Sequence, residues 1–334
     1  MVGAMFSRMT ISKLKIGITL ILIAIPLLCA SNERLRMNEI QFIGSHNSYK
    51  QQMPTLYFWL LRLIDGEGAK ALEYWHPPIA DQLELGLRKL ELDFFYDAVS
   101  GEFPVGHIQV IDMGTSCTSL RACLQEIRQW SDRNPHHVPI WISFNLKDQA
   151  IPLLPDPQLF TPEVLTDIDL AVEEIIGDRL IYPRDVVDRE WPLLAESRGK
   201  ILLVLDEGGE KRDWYLKDWQ DRPMFVPVDE GHEAAAIMII NDPVRDFDRI
   251  RSLVKQGYLV RTRADSGTQE ARNNDTVRRN KAFQSGAQAI STDYYLLTNP
   301  FDSEYRVSIE GGIRCNPVLI SENCSVLEKK LNQT

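Results

Sequence analysis

The sequence lacks a surplus of basic residues. The 334-residue chain has 37 Lys and Arg against 47 Asp and Glu, which gives a formal net charge of −10. Proteins that bind nucleic-acid phosphates over a broad surface accumulate Lys and Arg, so this charge balance argues against a nucleic-acid partner. The composition, with 44% hydrophobic and 25% charged residues, is typical of a globular protein and excludes a disordered or collagen-like chain.

After residue 30 the sequence has no apolar run long enough to span a bilayer, which takes about 20 residues. Residues 1–30 contain three basic residues, no acidic residue and the uncharged run IGITLILIAIPLLCA. This pattern predicts a secretory signal cut after Ala30, a single mature domain over 31–334 and a secreted or periplasmic location. An uncleaved N-terminal membrane anchor is the alternative.

Cysteine is scarce, and four cysteines remain once the predicted signal is removed. Their short spacings favour two local disulfides, Cys117 with Cys123 and Cys315 with Cys324, although four cysteines allow three pairings. A zinc site built from cysteine is the alternative, but its ligand pairs would normally be about two to four residues apart.

Eight short β-branched or apolar runs alternate with amphipathic segments along the chain. The runs are 40–44, 88–95, 103–106, 140–145, 201–205, 236–240, 258–263 and 289–292, and helix-like segments include 119–132, 162–176, 246–256 and 276–285. Strands that are apolar on both faces and separated by helices predict a parallel sheet, and eight of them predict an α/β fold of the (β/α)8 TIM-barrel type. An open doubly wound sheet is the alternative, but the dinucleotide-binding glycine fingerprint is missing from GSHNSY.

In such a barrel, polar residues at the carboxyl ends of strands face the active site. Glu91 and Asp93 alternate with apolar residues and therefore lie on the same face of one strand. Two carboxylates this close are unfavourable unless a cation lies between them. With an amide oxygen from Asn47, the set predicts a hard-oxygen site for calcium or magnesium.

Two histidines and a charged cluster also occur at predicted strand ends. His46 lies just beyond a glycine and His107 follows one directly, and histidine is the side chain most easily poised for proton transfer near neutral pH. Arg261, Arg263 and Asp265, in and just after the seventh run, are spaced two residues apart and therefore lie on the same face of the strand. The two guanidinium groups could hold a phosphorylated sugar by forked hydrogen bonds. A solvated charged loop is the alternative.

The motifs GSHNSY, LELDFFYD and VGH, in this order, resemble the catalytic region of calcium-dependent phosphoinositide-specific phospholipase C. The resemblance is closer to the secreted, single-domain microbial relatives, and the stretch GYLVRTRADSGTQEARNNDTVRRNKAFQSGAQAISTDYY is similar to their final two strands. It covers roughly residues 38–295 and implies a phospholipase-C-like phosphodiesterase barrel.

The resemblance implies a site with calcium as its cofactor. Asn47, Glu91 and Asp93 would bind the calcium ion, while His46 and His107 would perform the acid–base steps. The implied reaction is attack of the inositol 2-hydroxyl on phosphorus, which releases diacylglycerol and an inositol phosphate from phosphatidylinositol. A protein acting on this substrate is expected to contact membrane lipid peripherally, and we expect a monomer.

One strand departs from the large eukaryotic members, which have a further glutamate ligand there. ISFNLKD offers Asn145 as a neutral oxygen ligand, with Lys147 on the same face and directed to the phosphate. An Asp-x-Lys at this strand is the pattern of glycerophosphodiester and venom sphingomyelinase-type phosphodiesterases. Those substrates are therefore the alternative within the same fold, and a non-catalytic barrel that binds phosphorylated lipid or sugar is the alternative of another class.

Overall fold

The computed structural model describes residues 35–320. The predicted signal segment and Cys324 lie outside these residues. Cleavage after Ala30 and the pairing of Cys315 with Cys324 therefore stay predictions.

Between residues 35 and 320 the chain forms one ten-stranded sheet. The strands are β1 (Ile40–Ser45), β2 (Lys89–Phe94), β3 (Ile140–Leu146), β4 (Leu180–Ile181), β5 (Ile201–Leu205), β6 (Met224–Phe225), β7 (Ile237–Ile239), β8 (Leu259–Arg263), β9 (Ala289–Thr292) and β10 (Ile313–Cys315).

The strand order is β4-β5-β3-β2-β1-β9-β8-β7, with β6 on β5 and β10 on β1. All neighbours are parallel except β10, which runs antiparallel to β1. β4 and β6 pair with successive stretches of the same edge of β5. The predicted parallel α/β barrel is confirmed, with one opening, because no ladder joins β6 to β7 in the described part of the chain.

The helices between residues 35 and 320 are α1 (Thr55–Ile64), α2 (Gly66–Ala71), α3 (Ile79–Glu84), α4 (Leu120–Arg133), α5 (Pro162–Ile175), α6 (Gly209–Leu216), α7 (Phe247–Lys255), α8 (Gln269–Asn273) and α9 (Val277–Ser285). Ser119 and Thr161 cap α4 and α5 by accepting hydrogen bonds from backbone N–H groups of the first turn. Within this range no helix combines the length and the apolar character needed to cross a membrane.

The alternation of β2 separates an apolar layer from a polar interior. Leu90, Leu92 and Phe94 are fully buried among apolar side chains of the helices, including those of α4 and α5. Glu91 and Asp93 point the other way and are 4% and 1% exposed. The barrel interior therefore holds charged groups, which need partners because a buried unpaired charge is costly.

Seven of the eight predicted strands match observed strands, and one does not. The run 103–106 forms only isolated antiparallel bridges, such as that between Phe94 and Val105. Pro104 lies within the run and has no N–H to donate to a ladder. In the observed barrel β2 pairs directly with β3, so this run has no place between them. A strand that was not predicted, β6, pairs with β5 instead, and its two residues carry no periodic pattern.

The structure contains the predicted disulfide between Cys117 and Cys123, which closes a short loop against the start of α4. A loop this short restricts the unfolded chain modestly, so its reduction is expected to lower the free energy of unfolding by about 2 kcal/mol. Urea unfolding with and without reductant measures this change. The double substitution Cys117→Ala, Cys123→Ala is the control and should lose this part of the reductant effect; an unchanged effect in the double variant would contradict the prediction.

Candidate active site

Polar side chains from five barrel strands meet at the carboxyl ends of the sheet. They are His46 and Asn47 just after the end of β1, Glu91 and Asp93 within β2, Asn145 within β3, Lys147 directly after β3, Arg261 and Arg263 within β8, and Asp293 directly after β9. Their ion pairs form two groups, one around each carboxylate of β2.

Glu91 lies between two buried cations. Arg261 Nη2 donates to Glu91 Oε2 at 2.8 Å, and the fully buried Lys89 donates to the same oxygen. Burial by itself raises the pKa of Glu91, but Lys89 and Arg261 hold it well below its ordinary value. Burial lowers the pKa of Lys89 to about 8, so its ammonium group is still charged at neutral pH. Glu91 is therefore a fixed carboxylate, and its Oε1 lies 3.6 Å from His46 Nε2.

Asp93 has partners from the neighbouring strand. It pairs in register with Asn145, whose Nδ2 donates to Asp93 Oδ1 at 3.1 Å. Lys147 Nζ lies 2.7 Å from the other carboxylate oxygen, Oδ2. The side chain of Lys147 is 30% exposed, whereas that of Asp93 is 1% exposed. The carboxylate is thus held in place by a cation that reaches it from the solvent side.

Asn47 occupies the turn after β1 with a φ of 45°, in the left-handed region that asparagine tolerates better than most residues. Its Nδ2 donates to the Tyr74 hydroxyl at 2.8 Å. Asn145 likewise uses Nδ2 for its hydrogen bond to Asp93. Both amides therefore keep Oδ1 for another partner.

The donor set fits a hard cation by its chemistry, because calcium prefers carboxylate and amide oxygens and Asn47, Glu91, Asp93 and Asn145 supply both. Among the residues that the structure describes, no three acidic, histidine or cysteine side chains converge as a metal cluster. Each carboxylate is instead paired with a basic side chain. A cation that binds both carboxylates would compete with Lys147 for Asp93.

The ring of His46 contacts a carboxylate, that of Asp293, and a guanidinium group, that of Arg263. Its Nδ1 lies 3.1 Å from Asp293 Oδ1, so Asp293 can accept a hydrogen bond from Nδ1–H, which leaves Nε2 unprotonated on the side of Glu91. Two guanidinium nitrogens of Arg263 lie 3.4 Å from the ring nitrogens. Burial, followed by Arg263, lowers the pKa of His46 below its ordinary value, although Asp293 and Glu91 oppose this shift. A neutral imidazole is able to accept a proton.

His107 has an acidic partner of its own in the loop after β2. Its Nδ1 lies 3.0 Å from Asp112 Oδ2, and the fully buried Lys50 donates to Asp112 Oδ1 at 3.1 Å. Burial by itself raises the pKa of Asp112, but the hydrogen bond with His107 and the charge of Lys50 lower it. His107 also lines a cavity of about 510 Å³ together with Asn145 and Lys147.

The charged residues predicted around the seventh run have different positions: Arg263 lies at the site, whereas Asp265 is buried behind it. Arg263 Nη2 donates to Asp293 at 3.2 Å, and its side chain is 15% exposed. Asp265 is fully buried and accepts hydrogen bonds from Thr292 and from the backbone N–H of Asp293. Burial, followed by the charge of Asp293, raises the pKa of Asp265 to about 7. The predicted contact of Asp265 with substrate is therefore corrected: Asp265 lies behind Asp293 and positions it.

Three acid–base residues near the site were missed in the sequence. Asp206 directly follows β5 and lines the 510 Å³ cavity, and burial raises its pKa to about 6. The strand-end rule could have found it. Asp112 lies in an irregular loop and His76 in an irregular segment before α3, where no pattern in the sequence marks them. Burial lowers the pKa of His76 to about 4, and its neutral ring donates through Nε2 to the backbone oxygen of His46 at 2.8 Å.

A sequence profile of the family described as "Phosphoinositide phospholipase C, Ca2+-dependent" matches residues 35–106 and 103–317. Solved structures also resemble the chain. A calcium-dependent phosphoinositol-specific phospholipase C from Pseudomonas sp. has a TM-score of 0.53 at 18% identity, over 86% of this chain and 97% of its own. A Ca2+-dependent phosphatidylinositol-specific phospholipase C from Streptomyces antibioticus has a TM-score of 0.54 at 16% identity, over 79% and 96%. At these identities the structures establish the fold alone. No curated protein matches the chain.

Proposed function

The chain belongs to the Ca2+-dependent phosphoinositide phospholipase C family, and we propose that it cleaves phosphatidylinositol with the strand-end residues described above. The inositol 2-hydroxyl oxygen attacks phosphorus, and the bond from phosphorus to the diacylglycerol oxygen breaks. This step gives diacylglycerol and a cyclic inositol phosphate, which water opens to an inositol phosphate.

Two histidines carry the proton transfers. His46 Nε2 accepts the proton of the 2-hydroxyl while Asp293 accepts a hydrogen bond from Nδ1–H, and the Glu91 carboxylate beside the ring is a second candidate base. His107 donates a proton to the departing diacylglycerol oxygen, with Asp112 fixing its ring. Calcium, held by Asn47, Glu91, Asp93 and Asn145, would lower the pKa of the hydroxyl and neutralise charge on the phosphoryl oxygens.

The phosphate and the sugar need cationic and polar partners in the cavity. Lys147 and Arg263 are the partly exposed cations at the site, with side chains 30% and 15% exposed. We assign Lys147 to the phosphate and Arg263 to the sugar side. Arg261 is almost fully buried against Glu91, so it acts on the substrate through the position of that carboxylate.

The observation that carries this proposal is the pair of histidine–carboxylate contacts, His46 with Asp293 and His107 with Asp112, near the two β2 carboxylates. The test is to incubate the purified mature protein with phosphatidylinositol vesicles, with and without a calcium chelator, and to identify the water-soluble product. Cyclic or open inositol phosphate that disappears with the chelator supports the proposal. Absence of both products in the presence of calcium would rule it out.

A second substrate class has one observation in its favour, namely the strand that carries Asn145 and Lys147. A lysine at this position is the pattern of glycerophosphodiester and sphingolipid phosphodiesterases. Release of glycerol phosphate or of choline-containing product from those lipids, at a rate above that with phosphatidylinositol, would favour this class.

We also propose that α1 docks the protein on the membrane that contains its substrate. None of the residues of α1 is buried, and Leu56, Trp59, Leu63 and Ile64 are 60% to 80% exposed. Trp75 lines two small cavities, one shared with Thr55 and Phe58 of α1 and the other shared with Asp293. Trp75 thus lies between α1 and the Asp293 side of the site. A contiguous exposed apolar surface next to the mouth of a lipid-cleaving site is the chemistry expected for insertion into the bilayer interface.

The substitutions Trp59→Ser and Leu63→Ser together are expected to weaken binding to phosphatidylinositol vesicles about 10- to 100-fold, because each removes apolar area from the interface. Vesicle sedimentation measures the partition, and turnover of a soluble, short-chain substrate should be unchanged. Leu170→Ser, which replaces a leucine on α5 that is 57% exposed, is the control. Binding of the double variant equal to that of the control would contradict the role of α1.

We further propose that the protein is exported and acts as a monomer. The Cys117–Cys123 disulfide supports export, since disulfides persist in oxidising compartments. N-terminal sequencing of the protein from the producing cells tests cleavage after Ala30, and light scattering tests the monomer.

A further inference from the structure

We propose that Lys147 is a built-in competitor for the calcium site, whose ammonium group occupies Asp93 until a calcium ion displaces it. Lys147 thereby sets the calcium concentration that the site requires. This inference rests on the proposed function, because it assumes that Asp93 is a calcium ligand.

The two carboxylates of β2 differ in how their cationic partners are held. Glu91 is paired with Lys89 and Arg261, which are 0% and 3% exposed. The partner of Asp93 is Lys147, at 2.7 Å from Oδ2, with almost a third of its side chain exposed. Only the second pair has a cation that can leave by rotation of its own side chain.

The geometry makes Lys147 and a calcium ion mutually exclusive at Asp93. Asp93 Oδ1 accepts a hydrogen bond from Asn145 and Oδ2 is paired with Lys147, so a metal ion bound to this carboxylate would lie beside the Lys147 ammonium group unless that group moved away. An ammonium group and a divalent ion on one carboxylate would repel each other strongly at this separation. Calcium binding therefore includes the cost of breaking the ion pair between Lys147 and Asp93.

The ammonium group of Lys147, once released from Asp93, can bind a new partner in the adjacent cavity. Lys147 lines the 510 Å³ cavity with His107 and Asn145, where an anionic phosphate of the substrate would lie. A phosphate there gives Lys147 a partner in exchange for Asp93. Calcium and the phosphate-bearing substrate then favour each other's binding, because coupling between two ligands is reciprocal.

The size of the effect follows from the ion pair. A charge-assisted hydrogen bond to a buried carboxylate is stronger than a surface pair, but the lysine is partly exposed and screened. Removing the lysine charge is therefore expected to tighten calcium binding about tenfold. Only two of the proposed ligands, Glu91 and Asp93, are carboxylates. Competition at one of them is therefore expected to change the calcium affinity of the site substantially.

The test is calorimetric titration of calcium into the full mature protein without substrate, which reads binding and not turnover. Lys147→Met is expected to bind calcium about tenfold more tightly than the wild type. Lys147→Arg keeps the charge and should bind like the wild type or more weakly, and Lys147→Gln is a second neutral variant in case the methionine variant does not fold. The control is Lys211→Met, which removes a lysine paired with Asp148 and Glu207 outside the calcium ligands.

The outcomes separate this inference from the proposed function. Calcium binding by the wild type with equal or weaker binding by the two neutral variants overturns the role of Lys147 alone. A gain in affinity by Lys211→Met as large as that of Lys147→Met also overturns it, since any lost lysine charge would then suffice. Failure of the wild type and all variants to bind calcium overturns both the competitor and the calcium ligands on which it depends.

Discussion

The substitution His107→Ala is expected to lower kcat for phosphatidylinositol about 100- to 10,000-fold, which is the contribution of a positioned proton donor. The alkoxide of diacylglycerol is a poor leaving group, so its departure depends on the proton that His107 supplies. The side chain of His107 is 20% exposed, and its side-chain hydrogen bond goes to Asp112. The substitution therefore removes little packing, and circular dichroism should show a folded barrel.

A change of leaving group separates proton donation from other roles of His107. An inositol phosphodiester of nitrophenol releases an anion that departs without protonation, so the defect of His107→Ala should become much smaller with this substrate. An equal defect with both substrates would show that His107 does not act as the acid. His136→Ala, which removes an exposed histidine beyond the end of α4, is the control and should keep the wild-type kcat.

Most of the site could be predicted from strand ends and from the alternation of side chains. Glu91 and Asp93 face the barrel interior, as their spacing required. Arg261 and Arg263, also two residues apart, both turn to the site side of β8, where they contact Glu91 and Asp293. Parity defines the face of a strand but not the depth of a side chain beyond its end. Asp265 was therefore expected at the substrate, although it is buried behind Asp293.

Partners that lie outside the strand ends could not be predicted, because nothing in the local sequence encodes them. Lys50 donates to Asp112, 62 residues further along the chain, and neither residue ends a predicted strand. His46 and Asp293 both follow predicted strands, so the strand-end rule could bring them together although 247 residues separate them; the pairing of β1 with β9 does so. The two-residue strand β6 exists because Met224 and Phe225 pair with β5, and two residues show no period. Asp206 is different, since it follows a predicted strand directly and was available to the same rule that selected the others.

The substitution Asp293→Asn is expected to lower kcat about 100- to 10,000-fold, as when the carboxylate that orients a catalytic histidine is replaced by an amide. Asp293 Oδ1 is placed to accept a hydrogen bond from His46 Nδ1–H, which keeps Nε2 free to take the proton of the substrate. An asparagine amide can instead donate to Nδ1, and this favours the tautomer in which Nε2 carries the proton and cannot act as the base. Asp242→Asn, an exchange at a carboxylate after β7, is the control with the wild-type kcat expected.

A double-mutant cycle with His46→Ala decides whether Asp293 acts through the histidine. If it does, Asp293→Asn should cost little in a protein that already lacks His46, because residues that act as one unit are strongly non-additive. Asp293 also accepts a hydrogen bond from Arg263, so the substitution is expected to raise KM in both backgrounds by loosening the sugar side of the site. A full loss of kcat from Asp293→Asn in the His46→Ala background would contradict the tautomer argument and move the role of Asp293 to Arg263 or to a direct contact with the inositol ring.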